Sequence, residues 1–491
     1  MPANEQGEYA SMMERRRKRR MKRRLVRVAT ALVFIIVLVL AVVFVRTISR
    51  RGSIRSAAER ESLAAQISAE ETALLEKQAL MAEAAEIAKG YDYDGAIAHL
   101  MSADSFDLDN DILNEIGRYT SIKATLQPVD PLLVPHIFYH SLIVDPERAF
   151  DTYLWDEETI AGTNAWMTTV PEFDAITRQM YDNGWVFVRL KDLVVEKRDA
   201  MGNVTFSPND SLLLPQGKKA VVLSIDDWSY YHTYDGKGYA DKAVVDELGR
   251  VKCQYTDKQG NVSIGDYDVV PRLNTFLTLH PDGAYKGARG MIAMTGYNGV
   301  MGYRTDAAYD TGENIDWEQV DYLAQHPDFD YQKEVEEAKK VAQAVKDSGW
   351  EFACHTWGHL SVTGLGVETL SADQERWQKT VANIVGKTDI IIFAHGADIG
   401  NWRPYDAETN PVYAYFKSMG YNYYCNVDAS TQHWVQINKD NVRQGRIDCD
   451  GLQMYRAREG LGKINPFEGM FDVASVFDPV RPTPVTATGK E

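Results

Sequence analysis

The sequence predicts an α/β fold in which repeated β-α units build a parallel sheet or a barrel. Three observations carry that expectation. From Pro131 onward, short apolar runs of strand length alternate with longer segments whose apolar residues recur at helical spacing. Cap and stop residues fall between them: Thr169 and Glu172 have capping-box spacing, and Gly184, Gly349 and Gly420 close helical patterns. Asp226, Asp227, His355 and His395 each stand just past an apolar run, and α/β barrels gather their chemistry at the carboxyl ends of strands.

The chain before Pro131 has a different character. Its 491 residues leave room for one large or two ordinary domains, and 45% are hydrophobic, enough for a real core. The net charge of -17 is unevenly spread. Residues 1–55 carry 14 Lys and Arg against 3 Asp and Glu, so the body is strongly acidic and lacks the basic face that nucleic acid requires. Residues 1–27 read as a basic cytoplasmic tail. Residues 28–45 (Val28 to Val45) are apolar and uncharged, about the length of a membrane-spanning helix. Positive residues stay inside. The expected arrangement is therefore a single-pass anchor in the cell membrane, with the N-terminus cytoplasmic, the lipid bilayer as a partner, and the remainder extracytoplasmic. A cleaved signal peptide is the competing reading. It would have a shorter apolar region and small residues at the cleavage site, whereas Phe44-Val45-Arg46 follows here.

Residues 46–130 read as a helical stalk and a short helical region. Ser56 to Lys89 is rich in Ala, Glu and Leu without Gly or Pro, and Ile97, Leu100, Ile112, Leu113 and Ile116 suggest a helical pair. Asp107, Asp109 and Asp111 do not make a calcium loop, because Ile112 stands where Gly is needed and Arg118 where Glu is needed. In residues 131–460 the strand candidates are Val134–His140, Trp185–Leu190, Ala220–Ile225, Trp350–Cys354, Asp389–Ala394 and Tyr421–Val427. Helices are expected after Thr169, over Val335, Ala338, Ala342 and Val345, after Ser371, and after Asn410-Pro411. Residues 232–330 read as an insertion with hairpin turns at Gly249 and Gly260 and a Gly- and Tyr-rich stretch from Gly283 to Tyr303. That stretch either walls the site with aromatic faces or packs as an ordinary subdomain. Residues 461–491 form a C-terminal extension. Cys253, Cys354, Cys425 and Cys449 are too few for a disulfide scaffold, and Cys425 with Cys449 is the one pairing considered.

The chemistry centres on two strand ends. Asp226-Asp227 are adjacent carboxylates, which repel unless a cation or shared proton offsets their charge. His355-Thr356-Trp357-Gly358-His359 places two imidazoles at i, i+4 spacing, on one side if the segment is a helical turn. One carboxylate and two imidazoles suit a catalytic zinc, and the spare carboxylate can act as base. If the three share an ion, Asp227 lies within about 5 Å of the ring nitrogens.

These two motifs, with Tyr139-His140 at the opening strand, resemble the polysaccharide deacetylase family, the NodB-homology carbohydrate esterases, over roughly residues 131–460. Asp226-Asp227-Trp228-Ser229-Tyr230-Tyr231 and Leu279-His280-Pro281-Asp282 look like a membrane-anchored Gram-positive branch that carries this long insertion. The resemblance implies a distorted (β/α) barrel that removes acetyl groups from an N-acetylated polysaccharide, peptidoglycan or another surface glycan, using one divalent metal, zinc first. It makes Asp227, His355 and His359 the ligands and Asp226 the base. The family's third motif, which supplies an Arg to hold the base, falls either at Phe393 to Asp398, containing His395, or at Arg403-Pro404-Tyr405. The family's general-acid His has no clean match, with His433, His395 and His140 as candidates. Trp228, Tyr230, Trp357 and His140 are the expected substrate contacts. The alternative is an inactive deacetylase-like barrel that binds glycan or serves as a structural envelope protein.

Overall fold

The computed structural model describes residues 33–34, 36–44, 57–104 and 106–486. The chain divides into two compact units, Met1–Ala79 and Leu80–Glu491. In the first, residues 33–34 and 36–44 are helical with mostly exposed apolar side chains. Among the described residues no helix is long and apolar enough to cross a membrane. The expected span 28–45 falls partly outside the described residues, and the basic tail 1–27 lies wholly outside them. The expected stalk helix runs from Ala57 to Lys89.

The second unit opens with two short helices, Tyr93–Leu100 and Asn110–Lys123. Asp109 caps the latter through the amides of Asp111 and Ile112, so the acidic run does the work of a helix cap. Ala84, Ala88, Ala96, Leu100, Ile112 and Tyr119 form the small core of this region.

The seven strands that follow are all parallel and close into a barrel: β1 (His136–Tyr139), β2 (Lys219–Asp226), β3 (Met291–Met294), β4 (Glu351–Cys354), β5 (Ile390–Ile392), β6 (Tyr423–Val427) and β7 (Val442–Asp448). Each pairs with the next in sequence, and β7 pairs with β1. The strands' period of two divides their apolar residues into two cores. Ala220, Val222, Met291, Ala293, Ala353, Ile390, Ile392, Tyr423, Cys425 and Val442 fill the interior. Val221, Leu223, Ile225, Ile292, Phe352, Ile391, Tyr424 and Ile447 face out toward helices α1 (Val170–Asp182), α2 (Tyr331–Asp347), α3 (Val367–Thr380) and α4 (Pro411–Ser418).

Several sequence expectations change here. Trp185–Phe187 is a strand, but it pairs with the start of β2, with one further bridge from Phe187 to Ala284, and stays outside the closed barrel. The stretch 232–330 is not one insertion, because β3 lies within it. It consists of a three-stranded antiparallel sheet, Lys242–Val245, Val251–Thr256 and Val262–Gly265, then the helix Val269–Leu279, then β3 and a loop-rich segment. The C-terminal extension is part of the core: Phe467, Met470, Phe471, Val473, Val476, Phe477 and Val485 are buried in it. Fully buried Arg481 there binds Glu172 of α1 through both carboxylate oxygens, each at 2.6 Å. All four cysteines are free and buried. Cys425 faces the barrel interior and Cys449 the outer core, so the considered pairing does not form.

Candidate active site

Interior positions along each strand alternate with exterior ones, so the last interior residue of a strand points into the barrel mouth. On β2 the series Ala220, Val222 and Ser224 ends in Asp226. On β4, Ala353 is followed by His355, and on β7, Val442 and Gln444 are followed by Arg446 and Asp448. A polar cluster with little solvent contact therefore crowns an apolar interior.

Its centre is the Asp pair. Arg446 donates to both oxygens of Asp226, Nη1 to Oδ1 at 2.7 Å and Nη2 to Oδ2 at 2.9 Å. The guanidinium also lies 4.0 Å over the Phe138 ring and reaches Ser224 Oγ at 3.2 Å and the Asn426 carbonyl at 3.3 Å. Burial works against ionisation of Asp226, but Arg446 and then His355 outweigh it and hold the carboxyl below its ordinary value. Asp226 is thus an oriented carboxylate.

Asp227 turns away from the strand with φ 55°, a left-handed conformation that costs a non-Gly residue energy and tends to mark functional sites. Its Oδ1 accepts a 2.6 Å hydrogen bond from the Tyr231 hydroxyl, and its Oδ2 lies 3.2 Å from His359 Nε2. Thr356, His359 and His395 are left-handed as well. The segment from His355 to His359 is accordingly a strained loop and not the helical turn considered above; the i, i+4 spacing converges through loop geometry instead. Asp373 of α3 anchors that loop by accepting the amides of Trp357 and Gly358, both at 2.8 Å. Trp357 lies so close to Gly296 that a Cβ there would stand 2.1 Å from the indole ring.

His355 Nδ1 donates to the Ile392 carbonyl at 2.7 Å, which leaves Nε2 as a free acceptor facing the Asp pair. One donor atom each from Asp227, His355 and His359 lie within 4.8 Å of one another. That separation meets the distance expected from sequence. Two imidazoles and a carboxylate, one imidazole with its tautomer fixed by a backbone carbonyl, fit a divalent cation of the zinc class.

Residues 324–423 match the family model described as polysaccharide deacetylase. That match covers 100 of the 491 residues, His355 and His359 among them. Streptococcus pyogenes deacetylase PplD in complex with acetate aligns with 72% of this chain and 100% of its own, at 13% identity and a TM-score of 0.33. No curated protein matches.

Some expected site residues take other roles. Trp228 and Tyr230 are 0% and 1% exposed. The Trp228 indole donates to the Tyr230 hydroxyl and to Asp268, so neither side chain can touch substrate. The neighbouring Tyr231 reaches the site in their place. Trp357 and His140 are partly exposed. Arg403 is exposed, and its carbonyl accepts from Arg443; the contact to Asp226 expected of it belongs to Arg446. His395 is at the rim, its ring 4.3 Å from that of His359 and its Nε2 3.1 Å from the His359 carbonyl. Arg446, Tyr231 and Asp373 were not singled out from sequence. The interior alternation of β7 would have flagged Arg446 had that strand been recognised.

Proposed function

We propose that this protein is a membrane-anchored, extracytoplasmic, zinc-dependent deacetylase acting on an N-acetylated polysaccharide of the cell wall or surface. The observation that carries this reading is the division of labour in the Asp pair. Asp227 joins the two imidazoles of His355 and His359, while Asp226 is kept out of that group and fixed by Arg446.

A divalent metal bound at Asp227, His355 and His359 would polarise the amide oxygen and lower the pKa of an attacking water. Asp226, ionised and aimed into the same space, takes the proton from that water as it attacks the acetyl carbon. Arg446 fixes the direction of the Asp226 lone pairs and balances its charge in a buried setting. The Tyr231 hydroxyl occupies one Asp227 oxygen and leaves the other facing the imidazoles. Trp357 and His140, both partly exposed, are the proposed contacts to the sugar ring.

The anchoring part of the reading is supported by the sequence: ten Lys or Arg from Arg15 to Arg27, then the uncharged run Val28 to Val45. The test uses full-length protein loaded with zinc and offered chitooligosaccharide or peptidoglycan. Acetate release abolished by Asp226→Asn with zinc retained is the expected result. Zinc and glycan binding without acetate release from any glycan would establish the inactive binding module in its place.

A further inference from the structure

Beneath the Asp pair, the barrel interior holds a buried imidazole that takes no part in the steps above. Ile137 and Tyr139 of β1 belong to the outer core, so the alternate residues His136 and Phe138 face the interior. His136 is fully buried, and its Nε2 lies 2.9 Å from Ser224 Oγ of β2. Ser224 is fully buried too, and the same oxygen accepts from Arg446 Nη1 of β7 at 3.2 Å. That Nη1 also donates to Asp226 Oδ1 at 2.7 Å. One hydroxyl oxygen therefore joins His136 to the guanidinium that holds the base.

The protons of this chain run in one direction. A guanidinium only donates, so Ser224 Oγ presents a lone pair to Arg446. The single hydroxyl hydrogen of Ser224 points elsewhere, and His136 Nε2 is the other partner of that oxygen. Burial pushes the imidazole well below its ordinary value, with Arg446 adding to the effect and Gln444 opposing it. The ring is thus neutral and carries one N–H. With Nε2 accepting, that hydrogen sits on Nδ1, so the hydrogen-bond partners assign the tautomer.

The other side of the ring agrees with this assignment. Ile447 pairs with Ile137, which sets Arg446 level with His136 and Gln444 one interior layer toward the barrel floor. Gln444 Nε2 donates to the Val134 carbonyl at 2.9 Å. Gln444 Oε1 and His136 Nδ1 are both buried without a hydrogen-bond partner, an acceptor and a donor on neighbouring strands.

We propose that His136 is a positioning residue for the general base. By taking the Ser224 hydroxyl proton it turns the Ser224 lone pairs toward Arg446, and this fixes the guanidinium plane that aims Asp226. With the proton turned the other way, Ser224 would present partial positive charge to a buried cation. The guanidinium is then held on three sides: Nη1 by Ser224, Nε by the Asn426 carbonyl at 3.3 Å, and one face by the Phe138 ring. The effect of His136 on the reaction passes through Ser224 and Arg446.

This inference rests on the deacetylase reading, and the experiment keeps the two apart. Full-length wild type, Ser224→Ala, His136→Leu, His136→Gln and the double variant Ser224→Ala/His136→Leu are loaded with zinc. Acetate release is measured on chitooligosaccharide and on peptidoglycan. Ser224→Ala and His136→Leu should each lose about tenfold in kcat, the low end for a lost outer support, with KM and bound zinc unchanged. His136→Gln, whose amide oxygen can still take the Ser224 proton, should recover part of the rate. The double variant should lose no more than Ser224→Ala alone, because the two residues act along one path. Independently of turnover, wild type labelled with nitrogen-15 in its histidine rings is compared by NMR with His136→Gln. The difference should show one neutral imidazole protonated at Nδ1. Unchanged kcat in both single variants, losses that multiply to about 100-fold in the double variant, or a His136 ring protonated at Nε2 would overturn the positioning role alone. A wild type that releases no acetate from either glycan would overturn the deacetylase reading, and the positioning role would fall with it.

Discussion

Arg446 of β7 and Asp226 of β2 form a bidentate ion pair inside the barrel, at 2.7 and 2.9 Å, with β1 between their strands. Both side chains are almost completely buried. A planar guanidinium fixes two lone pairs at once, which an ammonium cannot do. Arg446→Lys keeps the charge but frees the carboxylate to rotate. We expect kcat to fall by about 10²-fold, the cost of a small misplacement in a catalytic group, while bound zinc stays at the wild-type level. Loss of zinc in Arg446→Lys, measured by elemental analysis, would mean that this pair supports the ligands and not the base.

Asp227, His355 and His359 converge from two strand ends, so a bound ion ties β2 to β4. Ligand that binds only the folded state stabilises it by about 2.7 kcal/mol at a hundred times its Kd. Zinc should therefore raise the Tm by several degrees, and a chelator should reverse the shift. Asp227→Ala should remove the zinc-induced shift. A variant that kept the full shift would place the ion elsewhere.

Gly296, just past β3, lies against Trp357 of the ligand loop, and its amide donates to the Trp357 carbonyl at 2.9 Å. A methyl group there would stand 2.1 Å from the indole, so the loop carrying His355 and His359 has to move. Gly296→Ala should weaken zinc binding in a calorimetric titration, by about tenfold or more, the range seen when supports of metal ligands are altered. Gly117, with open space around it, is the control: Gly117→Ala should leave zinc affinity unchanged.

What was legible in the sequence follows from where polarity falls. β2, β4 and β5 are dominated by apolar residues because both faces are packed, and their runs stand out; the Asp pair and the two His residues follow from them. β7 reads Val-Arg-Gln-Gly-Arg-Ile-Asp, because its interior face carries part of the site, and that same chemistry hid it as a strand. β3 is four residues long and sits in a Gly-rich stretch, so it was absorbed into the insertion. Trp228 and Tyr230 looked like sugar platforms from proximity to Asp227. Strand-end geometry instead turns them to Asp268, whose carboxylate accepts from both. Arg403 has the residue type and nearly the position for holding Asp226, but lies on a loop whose neighbour Asp398 takes Arg443. Only the closed barrel brings β7 one strand away from β2.

Asp398 is the fixed point of the loop after β5. It accepts the amides of Gly400 at 3.1 Å and Trp402 at 2.6 Å, Asn426 Nδ2 at 3.0 Å and Arg443 Nη2 at 3.1 Å, and also binds the Tyr405 hydroxyl. Burial raises its carboxyl, but Tyr405, the Trp402 amide and Arg443 more than reverse that, so it lies below the ordinary carboxylate value. The unfolded chain therefore binds a proton at this position before the folded one does as the pH falls. Stability from Asp398 is fully present above the unfolded carboxylate value and is lost as the pH drops through the lower folded value. Asp398→Asn should lower the Tm at neutral pH and narrow the gap to wild type as the solution is made acidic. Parallel Tm curves for the two proteins between neutral pH and pH about 3, a range that spans the ordinary Asp value, would show that the ionised carboxylate is not what holds the loop.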